Sequence, residues 1–127
     1  MSTRILLALT SPALVRVVEH LLHELPGTRI VDRSSNAEAL QRDALRLAPD
    51  VIVTSARLLG RESATGVARI TGVCPTSKLI VITSDGEWQA TDARRGAADA
   101  SLDEEDLVRG LLPIVHTLVA GAGSHAD

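Results

Sequence analysis

The sequence predicts an α/β fold: a doubly wound, five-stranded parallel sheet, (βα)5, in a three-layer sandwich. Three observations predict it. Short continuous apolar runs over 5–9, 51–53 and 79–82 read as strands buried on both faces. Between such runs lie stretches whose apolar residues recur at three- and four-residue steps, so strand and helix alternate. The junctions carry Pro, Gly, Ser and Asn, connections are short and no internal repeat interrupts the order, which implies right-handed crossovers.

Taken in order, the first strand is expected over 4–9 and is broken by Thr10, Ser11 and Pro12. Ser11 is placed to cap a helix and Pro12 to occupy its first position. From 13 to 25, Leu14, Val17, Val18, Leu21, Leu22 and Leu25 define one core face, closed by Pro26 and Gly27. A short second strand over 28–33 ends in Ser34, Ser35 and Asn36. Asn36 is placed to cap a helix in which Ala37, Leu40, Ala44, Leu45 and Leu47 face inward until Ala48 and Pro49 stop it.

The central strand is entered through Pro49 and Asp50, continues through Val51, Ile52 and Val53, and leaves through Thr54 and Ser55. After Gly60, Val67 and Ile70 mark a helix over 63–73, weakened by Thr65, Gly66 and Thr71. Another buried strand over 78–83 leaves through Ser84, Asp85 and Gly86. An Ala-rich helix over 87–95 ends at Gly96, and the stretch 97–102 holds a short edge strand. Asp103 caps a last helix whose first turn, Glu104, Glu105 and Asp106, complements the helix dipole. Its core face is Leu107, Leu111, Ile114, Val115 and Leu118, and Pro113 bends it or costs it a hydrogen bond without ending it. The domain is expected over 1–120, with 121–127 a small, polar, flexible tail.

Composition narrows the function. With 127 residues the chain is expected to form one domain, and with 45% hydrophobic residues and Trp88 as the single aromatic its core is aliphatic. Stacking platforms for bases are missing, net charge is −3, and the 13 Lys and Arg residues are scattered, so nucleic-acid binding by this chain alone is not expected. No apolar run approaches the roughly 18 residues of a membrane span, and the N-terminal run is too short for a signal peptide. The single cysteine, Cys74, has no internal disulfide partner and reads as structural, in keeping with a reducing, cytoplasmic setting. His20 and His23 fall on the side of their helix away from Leu14, Val18 and Leu22. Neither they nor His116 have metal-ligand spacing. No Gly-rich phosphate loop is present.

Several stretches carry a family resemblance. The Pro49-Asp50 entry, the apolar run to Ser55 and the Leu59-Gly60 that follows are similar to the "PD-apolar-apolar-apolar-apolar-Asp-x-x-x-Pro-Gly" stretch of response-regulator receiver domains. The first strand with its Pro12 exit, the Leu79-Ile80-Val81-Ile82-Thr83-Ser84 run, and Arg94-Arg95-Gly96-Ala97-Ala98-Asp99 match further receiver features at the right spacings. From Arg4 to about Ala120 the chain resembles a receiver, which implies a flavodoxin-like, CheY-like fold and a place in bacterial two-component signalling.

In receivers, an acidic pair after the first strand and an acceptor Asp after the third hold Mg²⁺. A Lys after the fifth strand pairs with the phosphoryl group, and a Thr or Ser after the fourth follows it. The metal is needed because a carboxylate accepts a dianionic phosphoryl group only when that charge is neutralised. Carried onto this sequence, the acidic pair falls on Leu9 and Thr10, the acceptor on Ser55, the switch hydroxyl on Thr83 and the Lys on Asp103. Only Thr83 keeps the family's residue type. A slip of one residue puts Thr10 and Ser11 at the pair and Thr54 at the acceptor without restoring an acid. The resemblance therefore implies a degenerate pseudo-receiver: no cofactor, no metal, no catalysis, and signalling by protein contacts without aspartyl phosphorylation.

Two surfaces are candidates for function. Hydroxyls at every strand exit, among them Thr10, Ser55 and Thr83, line a crevice that suits a small molecule or an anion, although Ser and Thr at such turns are equally good helix caps. Trp88, beside Asp85 and Gly86, is either a lid between helices or an exposed anchor for a partner. In receivers the face made by the helix around Trp88, the last strand and the last helix is the usual output and dimerisation surface. Here it corresponds to Trp88, Asp92, Arg95, Ala100, Leu102 and Arg109, which implies a protein partner or a homodimer.

Overall fold

Every residue of the strand Val51–Ser55 is buried, as expected of an apolar, β-branched run at the centre of a parallel sheet. The computed structural model describes residues 3–59, 63–84 and 98–124. Within them the strands are β1 (Thr3–Ala8), β2 (Thr28–Ser34), β3 (Val51–Ser55), β4 (Lys78–Thr83) and β5 (Ala100–Asp103). They pair in parallel in the order β2-β1-β3-β4-β5. The predicted sheet is therefore present, with β3 central.

The pleat divides its apolar residues between two cores. Ile5, Leu7, Val51, Val53, Ile80 and Ile82 face one side; Leu6, Ala8, Ile52, Leu79 and Val81 face the other. The first side is covered by α1 (Pro12–His23) and α5 (Leu107–Ser124). The second is covered by α2 (Ala37–Leu47), the short α3 (Ala56–Leu59) and α4 (Ser63–Val73). Buried Cys74 joins two of these helices, its thiol donating to the Ala44 carbonyl at 2.9 Å.

The junction residues act as their chemistry suggests. The Ser11 hydroxyl accepts from the Leu14 amide at 3.3 Å and Pro12 opens α1, while the Asn36 side chain accepts from the Ala39 amide at 2.8 Å. Gly27 turns into β2 at φ 81°, a left-handed conformation in which it carries no Cβ penalty. Asp103 accepts from the Glu105 amide at 3.0 Å and caps a 3₁₀ turn, Glu104–Asp106, that leads into α5. Pro113 sits inside α5 and the helix continues past it to Ser124, beyond the domain end expected at 120.

Three details depart from the expected pattern. Leu45 is 70% exposed, and Asp43 takes the buried position on α2 because Ser34 and Arg46 satisfy its carboxylate. Val17 is 42% exposed, since the buried stripe of α1 narrows to Leu14, Val18, Leu21 and Leu22. The last strand, expected within 97–102, spans Ala100–Asp103 and so runs one residue past that stretch; just before it the Asp99 carboxylate accepts from the Leu79 amide at 2.7 Å. Among the described residues no helix is long and apolar enough to cross a membrane.

Candidate functional site

Because all strands are parallel, their carboxyl ends open on one edge of the sheet, where the following helices begin. There β1, β3 and β4 deliver Thr10, Ser11, Ser55 and Ser84 to a crevice of about 240 Å³. Arg57 from α3 and Glu104 from the 3₁₀ turn complete its polar lining, with Ala56 and Ile82 at its base.

Ser55, at the acceptor position, ends the central strand and is 5% exposed. Its hydroxyl accepts from the Leu58 amide at 3.4 Å and so caps α3. Ser11 likewise is a cap. Part of the hydroxyl lining is thus already engaged in starting helices, which leaves Thr10 as the exposed hydroxyl at the end of β1.

The remaining carried-over positions lie elsewhere. Leu9 is buried in the core beneath α1 and α5, so at the mouth of the crevice the positions after β1 are Thr10 and Ser11. Thr54 is fully buried, its hydroxyl donating to the Ser55 carbonyl at 3.4 Å. Thr83 is buried and pairs in register with Asp103. Asp103 spends its carboxylate on the Glu105 amide and does not line the crevice. Sequence reasoning missed Arg57 and Glu104. A signal was present for each: Arg57 lies two residues past the end of the central strand, and Glu104 directly follows a capping Asp.

Among the described residues the donor set does not suit Mg²⁺. A hard divalent cation is held through carboxylate oxygens, and among the described lining residues Glu104 is the one carboxylate, facing hydroxyls and the Arg57 cation. Among the described residues no group of three or more His, Cys, Asp or Glu is gathered closely enough to hold a metal.

On the proposed interface, Trp88, Asp92 and Arg95 lie outside the described residues. Ala100 and Leu102, partly buried on β5, turn onto the core beneath α5 rather than outward. The fit there is close: a Cβ on Gly110 would stand 2.8 Å from Leu102 Cδ1. Arg109 is exposed on α5.

A five-stranded parallel sheet in the order β2-β1-β3-β4-β5, helices on both faces and a crevice at the strand ends define the receiver fold. Solved receiver structures share it. The receiver domain of AraT, a response regulator from Geobacillus stearothermophilus, superimposes with a TM-score of 0.85 at 19% identity, covering 100% of both chains. A LuxR-family two-component response regulator from Aurantimonas sp. SI85-9A1 gives 0.83 at 19% identity, over 95% of this chain and 87% of that one. The isolated receiver domain of RcsB from Salmonella enterica serovar Typhimurium gives 0.83 at 14% identity, over 94% and 90%. At these identities the likeness is one of fold. No protein-family model and no curated protein matches the sequence.

Proposed function

We propose that the chain is a pseudo-receiver of bacterial two-component signalling, a cytoplasmic, non-enzymatic module that works through protein contacts and is not phosphorylated on aspartate. The observation that carries this reading is Ser55 at the end of the central strand, where the resemblance places the acceptor, with its hydroxyl turned to the Leu58 amide. A serine hydroxyl becomes a nucleophile only beside a base, and no His or Lys is among the described residues lining the crevice. Nor do the described lining residues offer more than one carboxylate, Glu104, to hold Mg²⁺ against an incoming phosphoryl group.

The partner is a signalling protein or an output domain, and the candidate contact face includes Trp88, Asp92, Arg95 and Arg109. Incubation of the purified protein with Mg²⁺ and a small phosphodonor, followed by intact-mass measurement at neutral pH, tests the reading. The mass stays unchanged under conditions that phosphorylate a receiver with an intact acidic site. A stoichiometric gain of one phosphoryl group, acid-labile or acid-stable, sinks the proposal.

One observation favours a second reading, a ligand sensor. Hydroxyls and the Arg57 side chain converge on one crevice with space for a small anion. Thermal melting with inorganic phosphate and a panel of nucleotides separates the two, since a saturable stabilisation belongs to the sensor and its absence to the interaction module.

A further inference from the structure

An open groove of about 440 Å³ between α1 and β2 shares no described lining residue with the crevice at the strand ends. Its rim is basic. Arg16, His20 and His23 share one face of α1, since residues three and four apart are neighbours on a helix, and Arg33 reaches the groove from β2. Elsewhere in this chain of net charge −3 the cationic residues are scattered, so their gathering here is a local feature. Ile30, half-buried on β2, adds apolar surface to the groove.

Little in the groove neutralises these donors. Glu19 is the one carboxylate among the described lining residues, and it is held by Arg33. Arg16 has no ion-pair partner among the described residues. The Asp32 carboxylate turns to Arg46 on the other face of the sheet. A helix C-terminus carries partial negative charge on its last carbonyls, which repels an anion. Here those carbonyls are engaged. The Thr28 hydroxyl lies 2.8 Å from the carbonyl oxygens of both Leu22 and Leu25, and the Leu21 and Leu22 carbonyls accept from the Glu24 and Leu25 amides.

We propose that the α1–β2 groove binds a small phosphate monoester, its phosphate held by Arg16, His20, His23 and Arg33 and its organic part resting on Ile30. A guanidinium presents its N–H groups in a planar fork that fits phosphate oxygens, and an imidazole offers an N–H in either charge state. A phosphate monoester brings three terminal oxygens and nearly two charges to such a donor set, whereas a carboxylate brings two oxygens and one charge. The groove is also large enough for a whole small ligand. Because it is separate from the crevice, this site is independent of how Ser55 behaves.

Amide NMR of the isotopically labelled full chain, titrated with phenyl phosphate, tests it. Saturable shifts are expected at Arg16, Glu19, His20, His23 and Arg33. Inorganic phosphate shifts the same residues but binds about threefold more weakly or worse, because it leaves Ile30 uncovered. Arg16→Ala weakens phenyl phosphate binding about tenfold. Glu19→Gln strengthens it about threefold, since it removes the lining carboxylate and releases Arg33. Neither substitution removes a buried group, so the melting temperature of the unliganded protein changes little and separates lost binding from lost folding.

The absence of a saturable shift overturns the proposal, as do shifts gathered instead on Thr10 and Ser55, which belong to the crevice. Equal binding of benzoate, or weaker binding in Glu19→Gln, also overturns it. So does binding to vesicles carrying phosphatidic acid with none to phenyl phosphate, which assigns the basic rim to a lipid surface.

Discussion

Asp43 is buried on α2 and keeps its charge through its neighbours. The Ser34 hydroxyl donates to Oδ2 at 2.8 Å and Arg46 donates to Oδ1 at 3.2 Å while also reaching Asp32 at 2.9 Å, so β2 and α2 are tied by one polar cluster. The Ser34 hydrogen bond, with Arg46 and Arg42 adding attraction, holds the Asp43 carboxyl below the usual carboxylate range. A carboxyl that titrates lower when folded adds stability above its unfolded value, near pH 4, and loses that contribution as pH falls through the folded value. Ser34→Ala removes the donor and leaves a buried acceptor short of a partner, a loss of about 1–3 kcal/mol. Urea unfolding at pH 7 and pH 3 checks both statements. The gap between wild type and variant is present at pH 7 and shrinks at pH 3; an equal gap at both means that the Ser34–Asp43 bond does not act through the ionised carboxylate. The tie between β2 and α2 was not legible beforehand, because the Ser34–Asp43 and Asp32–Arg46 partners come from separate elements, nine and fourteen residues apart.

At the scale of the element, the strands and caps were the legible part. Continuous apolar runs gave β1, β3 and β4, and Ser11, Asn36 and Asp103 announced the helix starts that they cap. Periodicity was less faithful at the margins of a helix face, because an apolar residue at the edge of the stripe has the right spacing whether or not a neighbour covers it. Leu40 and Leu45 illustrate this on one helix: the first is 0% exposed and the second 70%. Leu40→Ala should cost about 2–5 kcal/mol through lost burial and the cavity left behind, and Leu45→Ala should stay within about 0.5 kcal/mol of wild type. Denaturant unfolding of the two variants measures the contrast, and equal losses would place Leu45 in the core after all. The short edge strand was placed only within 97–102, and its start at Ala100 was not legible, since no pattern there reveals that the Asp99 side chain takes the Leu79 amide just before the strand begins.

At the scale of the molecule, alternation of strand and helix was enough to specify a parallel sheet with both faces covered, and the sheet order follows it. The contents of the crevice were only half legible. Thr10, Ser55 and Thr83 were identified because they sit at strand exits; the first two line the crevice and Thr83 does not. Leu9, Thr83 and Asp103 were assigned by position in the family pattern, but the pleat turns Leu9 and Thr83 inward and the 3₁₀ turn occupies Asp103 as a cap, so that Glu104 takes the lining position. Arg57 enters through a one-turn helix too short to leave a periodic signal. What reaches the crevice is therefore a hydroxyl-rich lining with one described carboxylate, and the central claim is that such a site does not bind a metal-assisted phosphoryl group. Amide NMR of the isotopically labelled full chain, titrated with Mg²⁺ and beryllofluoride, tests this most directly. No saturable shift at Thr10, Ser55, Ser84 or Glu104 is the result predicted. Saturable shifts gathered on those four residues would contradict the account and establish a working acceptor site.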